Sequence, residues 1–96
     1  MTSKVIVEAI SASNLMAKDG VFKKTTSDPY LKIKAGSKSV KTKYILKDLN
    51  PTWNETLVLE HIDVYDIEQK TLHLKLYDWD KVTRDDSLGE ATVCLT

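Results

Sequence analysis

The chain has 96 residues, 42% of them hydrophobic, which suits one domain with one core near the small end of what folds unaided. Lys and Arg total 14 and Asp and Glu total 14, so overall charge argues for neither nucleic acid nor membrane, and only its distribution along the chain is informative. The one cysteine, Cys94, excludes an internal disulfide and points to a reducing compartment. No segment approaches the ~20 apolar residues of a spanning helix, so any membrane contact is expected to be peripheral.

Period-two alternation dominates the chain and predicts an all-β fold. From Lys4 to Ile10 it places Val5, Val7 and Ala9 on one face. From Pro29 to Ala35 it places Leu31 and Ile33 on one face and Tyr30, Lys32 and Lys34 on the other. Residues 35–39 carry hairpin-turn chemistry, with Gly36 free to adopt a positive φ. A strand is expected over Val40–Ile45, followed by a loop holding Leu49-Asn50-Pro51-Thr52-Trp53. Strand-like runs resume at Glu55–Glu60, Thr71–Asp78 and Leu88–Leu95. Between them, Ile62–Gln69 has room for one short helical turn. Six strands at this spacing, with turn signals between them, read as an antiparallel sandwich spanning residues 1–96 as one domain.

Acidic residues concentrate in two loops. The first holds Asp19 and Asp28. The second, residues 78–86, holds Asp78, Asp80, Asp85 and Asp86. Carboxylates this close repel one another unless a cation lies between them, and an all-oxygen set is what Ca2+ takes. The alternative is a solvated acidic loop. An EF-hand is excluded: counted from Asp78, the fifth, sixth and twelfth positions are Val82, Thr83 and Gly89.

Basic residues concentrate elsewhere. Between Asp28 and Asp48 stand Lys32, Lys34, Lys38, Lys41, Lys43 and Lys47, with no acid among them. Alternation puts Lys32 and Lys34 on one face, Lys41 and Lys43 share a face on the next strand, and the hairpin is expected to bring the two pairs together. Such a patch reads either as a docking surface for anionic headgroups or as a solvated face that keeps a strand soluble. Trp53 is expected in packing. Cys94 follows the apolar pattern and is expected to be buried and inert. His61 and His73 lack metal spacing. No nucleophile elbow, phosphate-cradling glycine loop or paired Cys/His set is present, so the chain is expected not to be an enzyme.

Five segments in register resemble the C2 domain family. They are Ser27-Asp28-Pro29-Tyr30, Lys41-Thr42-Lys43, residues 49–55 (Leu-Asn-Pro-Thr-Trp-Asn-Glu), residues 76–80 (Leu-Tyr-Asp-Trp-Asp) and residues 86–90 (Asp-Ser-Leu-Gly-Glu). The resemblance runs from about Lys4 to Leu95. It implies an eight-stranded antiparallel Greek-key β-sandwich, of which about six strands are visible here, so that the last one or two strands belong to a longer protein or are supplied by another chain. An uncovered first strand is expected to invite self-association.

The resemblance also implies two or three Ca2+ ions held by Asp19, Asp28, Asp78, Asp80 and Asp86. Main-chain oxygens at Lys18, Trp79 and Arg84 would add to the set, with the Thr83 hydroxyl at an outer ion. The loop between Asp19 and Asp28 is longer than is usual in the family. Val21, Phe22 and Val82 lie in the same loops and either insert into the membrane or pack on their own domain. Tyr30, Lys32, Lys34, Lys41, Lys43 and Trp79 match a phosphoinositide-binding patch. The implied function is calcium-dependent binding to anionic phospholipids, including phosphatidylserine and phosphoinositides. It would recruit an attached protein from the cytoplasm to membranes when calcium rises. The rival reading is a calcium-regulated protein-interaction module on the same scaffold.

Overall fold

Two antiparallel sheets face each other across one apolar core. The computed structural model describes residues 2–13, 27–63, 65–81 and 84–95, with the backbone alone at 2, 3 and 10. In chain order the elements are β1 (Thr2–Ser11), β2 (Pro29–Ala35), β3 (Lys38–Lys41), β4 (Thr52–Asp63), α1 (Ile67–Lys70), β5 (Thr71–Asp78) and β6 (Asp86–Cys94). Strands β1 and β4 form one sheet, and the other runs β3-β2-β5-β6. Every pairing is antiparallel.

The predicted alternation selects the core. Ala9 from β1 and Leu57, Leu59 and Ile62 from β4 meet Ile33 and Ala35 from β2 and Leu72 from β5. Val5, Val7, Leu31 and Leu74 pack against this cluster from alternate positions along the same strands, two or four residues away. Trp53 is buried, and its indole nitrogen donates a 3.2 Å hydrogen bond to the Pro29 carbonyl, tying β4 to the start of β2.

Strand β4 has 12 residues against the 10 of β1, and the surplus is absorbed in two bulges. Register shifts fall between Ser3/Val5 and between Ala9/Ser11. On β4 these intervals contain His61 and Asn54, which adopt φ of 58° and 50°. The His61 bulge moves the inward set from odd to even numbers, so that Ile62 is buried after Leu59. The Lys38 ammonium donates to the carbonyls of Glu60 (2.8 Å) and His61, which caps this bulge from the opposite sheet.

Several expectations need correction, beginning with the loop over residues 49–53, whose Thr52 and Trp53 already belong to β4. Strand β3 begins at Lys38 and ends at Lys41 rather than running from Val40 to Ile45. At Thr42 the ladder changes partners: the Thr42 N–H donates to the Leu31 carbonyl (2.9 Å), but the Leu31 N–H donates to the Thr42 hydroxyl oxygen (3.0 Å). A side chain has replaced a main-chain acceptor, so regular pairing stops, while the Ile45 N–H still reaches the Pro29 carbonyl at 3.1 Å and holds the segment beside β2. Cys94 is exposed rather than buried. Its strand is the edge of the four-stranded sheet, and most of its residues are exposed on both faces, so alternation there does not imply cover. The helical turn is confined to Ile67–Lys70, because residues 62 and 63 still belong to β4. It is capped by Asp66, whose carboxylate accepts from the Glu68 N–H at 2.9 Å.

Candidate functional site

Three strands of one sheet bring the acidic positions to one end. Asp28 precedes the first residue of β2, Asp78 is the last of β5 and Asp86 is the first of β6. Because these strands run antiparallel, a start and an end coincide: Pro29 pairs with Asp78, and Asp78 with Asp86. Asp78 is 1% exposed. Its Oδ1 accepts the Asp28 N–H at 2.9 Å, and the Trp79 N–H returns a 2.9 Å bond to the Asp28 carbonyl. The Asp28 carboxylate in turn accepts the Lys47 N–H at 2.7 Å. Main-chain donors therefore fix two of the carboxylates, and for the buried Asp78 such a partner is what a low-dielectric position demands.

Asp85 anchors the loop that leaves β5. Its Oδ1 accepts the Asp80 N–H at 2.9 Å and its Oδ2 accepts the Tyr30 hydroxyl at 2.5 Å. Burial, and secondarily the carboxylate of Asp85, push the Tyr30 phenol well above its ordinary value of 10.0. Asp85 thus ties the loop to β2 and positions Asp80 through its backbone.

Lys18, Asp19, Val21, Phe22, Val82 and Thr83 lie outside the described residues. The described donors Asp28, Asp78, Asp80 and Asp86 supply only oxygen, which is the chemistry Ca2+ takes. Among the described residues, however, no three His, Cys, Asp or Glu side chains stand together as a metal-holding group. Arg84 is exposed in the same loop.

The basic residues sort differently from their expected grouping. Lys32 pairs across the hairpin with Lys41, but Lys34 pairs with Ser39. Lys43 lies beyond the end of β3, where its N–H donates to Glu55 Oε2 at 2.8 Å. On its other side Lys32 pairs with Lys75 of β5, so Lys41, Lys32 and Lys75 form a row across three strands. Like charges directly opposite destabilise a sheet. Lys34 lines a separate depression with Glu68, His73 and Lys75.

Beside the acidic end lies an open groove of about 930 Å³. Tyr30, Lys41, Lys43, Tyr44, Glu55 and Trp79 contribute to its walls. The Lys41 ammonium sits 5.5 Å from the Tyr30 ring centroid. Tyr44 and Trp79 stack with centroids 4.1 Å apart and planes 3° from parallel. The sequence expectation missed Tyr44, Glu55 and Lys75. Tyr44 adjoins Lys43 and was open to notice; the places of Glu55 and Lys75 follow only from register.

Antiparallel sheets with acidic loops at one end and a basic, aromatic groove beside them define a β-sandwich binding module. The family model of the C2 domain matches residues 3–96, and the chain belongs to that family. Synaptotagmin-7 of Mus musculus is 35% identical over 96 residues, covering 97% of this chain and 23% of that protein. Multiple C2 domain and transmembrane region protein 10 of Arabidopsis thaliana is 40% identical over 75 residues, covering 78% of this chain and 7% of that protein. The chain therefore spans under a quarter of either relative. Among solved structures, the calcium-bound tandem C2 domains of Extended-Synaptotagmin 2 superpose with a TM-score of 0.78, at 28% identity over 97% of this chain and 34% of that one. A C2 domain of RIM from Drosophila, at TM-score 0.77 and 21% identity over 97% of this chain and 75% of that one, supports the fold alone. C2 domains are non-catalytic binding modules of membrane-associated proteins, and they commonly bind calcium. Among the described residues no helix is long and apolar enough to cross a membrane.

Proposed function

We propose that this chain docks an attached protein onto anionic membrane on the cytoplasmic side when calcium rises. The observation that carries the reading is the register that sets Pro29 against Asp78 and Asp78 against Asp86, which gathers Asp28, Asp78 and Asp86 at one end of the sandwich. Asp80 and Asp19 complete the proposed ligand set, with main-chain oxygens at Lys18, Trp79 and Arg84 and the hydroxyl of Thr83 in support. The five proposed ligand carboxylates would together carry −5 at this tip, a charge that repels anionic lipid. Two to three Ca2+ bound there would bring the tip to about −1 or +1 and offer open coordination to lipid oxygens.

The groove takes the headgroup. Lys41 and Lys43 supply charge, and Tyr30, Tyr44 and Trp79 supply faces against which a phosphorylated inositol ring can pack. Lys32 extends the positive surface through its pairing with Lys41. Each basic residue near an anionic surface contributes about 1 kcal/mol. Val21, Phe22 and Val82 are the proposed inserting residues.

Calorimetric titration of the purified chain with calcium tests the metal assignment. Saturable heat that disappears in Asp78→Asn/Asp80→Asn is the expected result; heat retained in that variant would refute the ligand set. Sedimentation with phosphatidylserine vesicles, in calcium or in EGTA, tests the docking step. Addition of phosphatidylinositol 4,5-bisphosphate tests the groove, where Lys41→Ala/Lys43→Ala should lose only the phosphoinositide increment.

A further inference from the structure

Among the described residues, most large apolar side chains that stand in water lie away from the acidic end. Ile6 and Val58 pair on the outer surface of the β1–β4 sheet, and Tyr65 and Ile67 stand at the start of α1, which precedes β5 at the opposite end. Tyr44 and Leu46 differ, because both belong to the segment 42–48 that runs beside the residues leading into β2. Tyr44 is covered on one face by the Trp79 ring. Leu46 is 62% exposed. A lone exposed leucine is ordinary on a protein surface. This one is set apart by how it is held and by what surrounds it.

Main-chain donors fasten the segment along its length. The Ile45 N–H donates to the Pro29 carbonyl at 3.1 Å, the Lys47 N–H to the Asp28 carboxylate at 2.7 Å and the Asp48 N–H to the Ser27 carbonyl at 2.9 Å. Leu46 therefore lies between two anchored residues, level with Asp28, where the acidic positions gather. Ile45 is half-buried and Leu46 exposed, so the two side chains point opposite ways. Lys47 takes φ 53°, in the left-handed region that a residue with a Cβ seldom occupies. The bonds around it impose that conformation. A fixed backbone thus holds the Leu46 side chain outward rather than letting it fold back on the domain.

We propose that Leu46 enters the acyl boundary of an anionic phospholipid bilayer when the acidic end docks. The inference rests on the docking proposed above and adds to it an apolar contact from a separate segment. Moving a leucine side chain out of water is favourable in proportion to the area removed. Because the backbone is already fixed, little chain entropy is lost on insertion. The next residue, Lys47, is exposed and carries its ammonium on a long apolar stem, so the charge can stay among lipid phosphates while Leu46 goes deeper. Leu46 also lines the groove that holds Lys41 and Lys43. A lipid held there by its headgroup meets an apolar side chain beside its phosphates.

A nitroxide label at Leu46→Cys tests this, in a Cys94→Ser background because Cys94 is itself exposed. The probe is a vesicle of phosphatidylserine and phosphatidylcholine, with calcium. On docking, accessibility of the label to oxygen should rise and accessibility to a water-soluble nickel chelate should fall. The same label at Tyr65→Cys, at the opposite end, should show neither change. Leu46→Ala should weaken vesicle binding by about tenfold, and Leu46→Phe should retain it. Neither should alter the calcium heat measured without lipid. Where the parent binds vesicles, a label at position 46 as open to nickel as one at position 65 would overturn the proposal and leave the docking reading standing. Parent-like binding by Leu46→Ala would do the same. A parent chain that fails to bind these vesicles in calcium would overturn both.

Discussion

Tyr30 and Asp85 are 55 positions apart and are joined by a 2.5 Å hydrogen bond from the phenol hydroxyl to Oδ2. The other oxygen of the same carboxylate holds the Asp80 N–H. Tyr30→Phe removes one bond from a partly buried carboxylate while leaving the ring packed on Tyr77, whose centroid is 5.5 Å away. Bonds to charged groups contribute about 1.5–3 kcal/mol, and partial exposure puts this one at the lower end. The urea midpoint should fall accordingly, and calcium affinity should fall with it as the loop carrying Asp80 loosens.

The same bond sets a response to alkaline pH. Burial, and then Asp85, raise the phenol above its unfolded value of 10.0, so the folded state holds this proton where the unfolded state releases it. The contribution is intact below pH 10 and is lost as pH rises from there toward the folded value. The slope for one such group is about 1.4 kcal/mol per pH unit. Urea midpoints measured from about pH 9 to 11, spanning the ordinary phenol range, should fall more steeply for the parent than for Tyr30→Phe, because the phenol is the one ionisable group in which the two differ. Equal slopes would place the phenol in an unperturbed environment.

Asp78 combines burial with a fixed acceptor role. Asparagine keeps Oδ1 available to the Asp28 N–H, whereas alanine strands that donor and opens space at a site only 1% exposed. Loss of a buried partner costs about 1–3 kcal/mol. Asp78→Ala should therefore melt well below Asp78→Asn, while both lose calcium-dependent heat. If both melt alike, the hydrogen bond to Asp28 is not what holds the two loops together.

Much of this arrangement was legible in the sequence because strand ends are local facts. Leu31 and Ile33, and Leu72, Leu74 and Leu76, announce their strands by alternation. Asp28, Asp78 and Asp86 stand at the boundaries, so a correct sheet order gathers them without further information. What alternation cannot report is cover: Cys94 lies on a readable strand, but nothing in its neighbours says whether another layer lies over it. Nor does it report register. Lys75 joins Lys32 and Lys41, and Lys34 leaves them, only once β2 is placed between β3 and β5. Side-chain substitutions for main-chain bonds, as at Thr42, shorten a strand that composition alone would extend. The Tyr30–Asp85 bond couples two segments whose patterns, taken singly, give no hint of it.

Glu55 places an acid in the wall of an otherwise basic groove, where its Oε2 accepts the Lys43 N–H. Glutamine retains an oxygen acceptor for that bond and removes the charge. One unit charge beside an anionic surface changes binding by about 1 kcal/mol, or about fivefold in affinity. Glu55→Gln should therefore bind vesicles containing phosphatidylinositol 4,5-bisphosphate more tightly than the parent, with no change in calcium affinity in the absence of lipid. Unaltered vesicle binding would mean that the headgroup does not enter the groove.

His61 sits in the left-handed region at φ 58°, and its side chain is exposed. The bulge needs that backbone, because it returns Ile62 to the core, and the His61 carbonyl receives the Lys38 ammonium. A residue with a Cβ loses about 1–2 kcal/mol in this conformation, while glycine loses about 0.5–1 kcal/mol in chain entropy on folding. His61→Gly should come out ahead by about 0.5–1 kcal/mol, which in a domain of this size raises Tm by about 3–6 °C. His61→Ala keeps the Cβ and should bring no gain. Thermal unfolding of the two variants separates backbone strain from loss of the imidazole: if both shift alike, the side chain rather than φ sets the stability of this bulge.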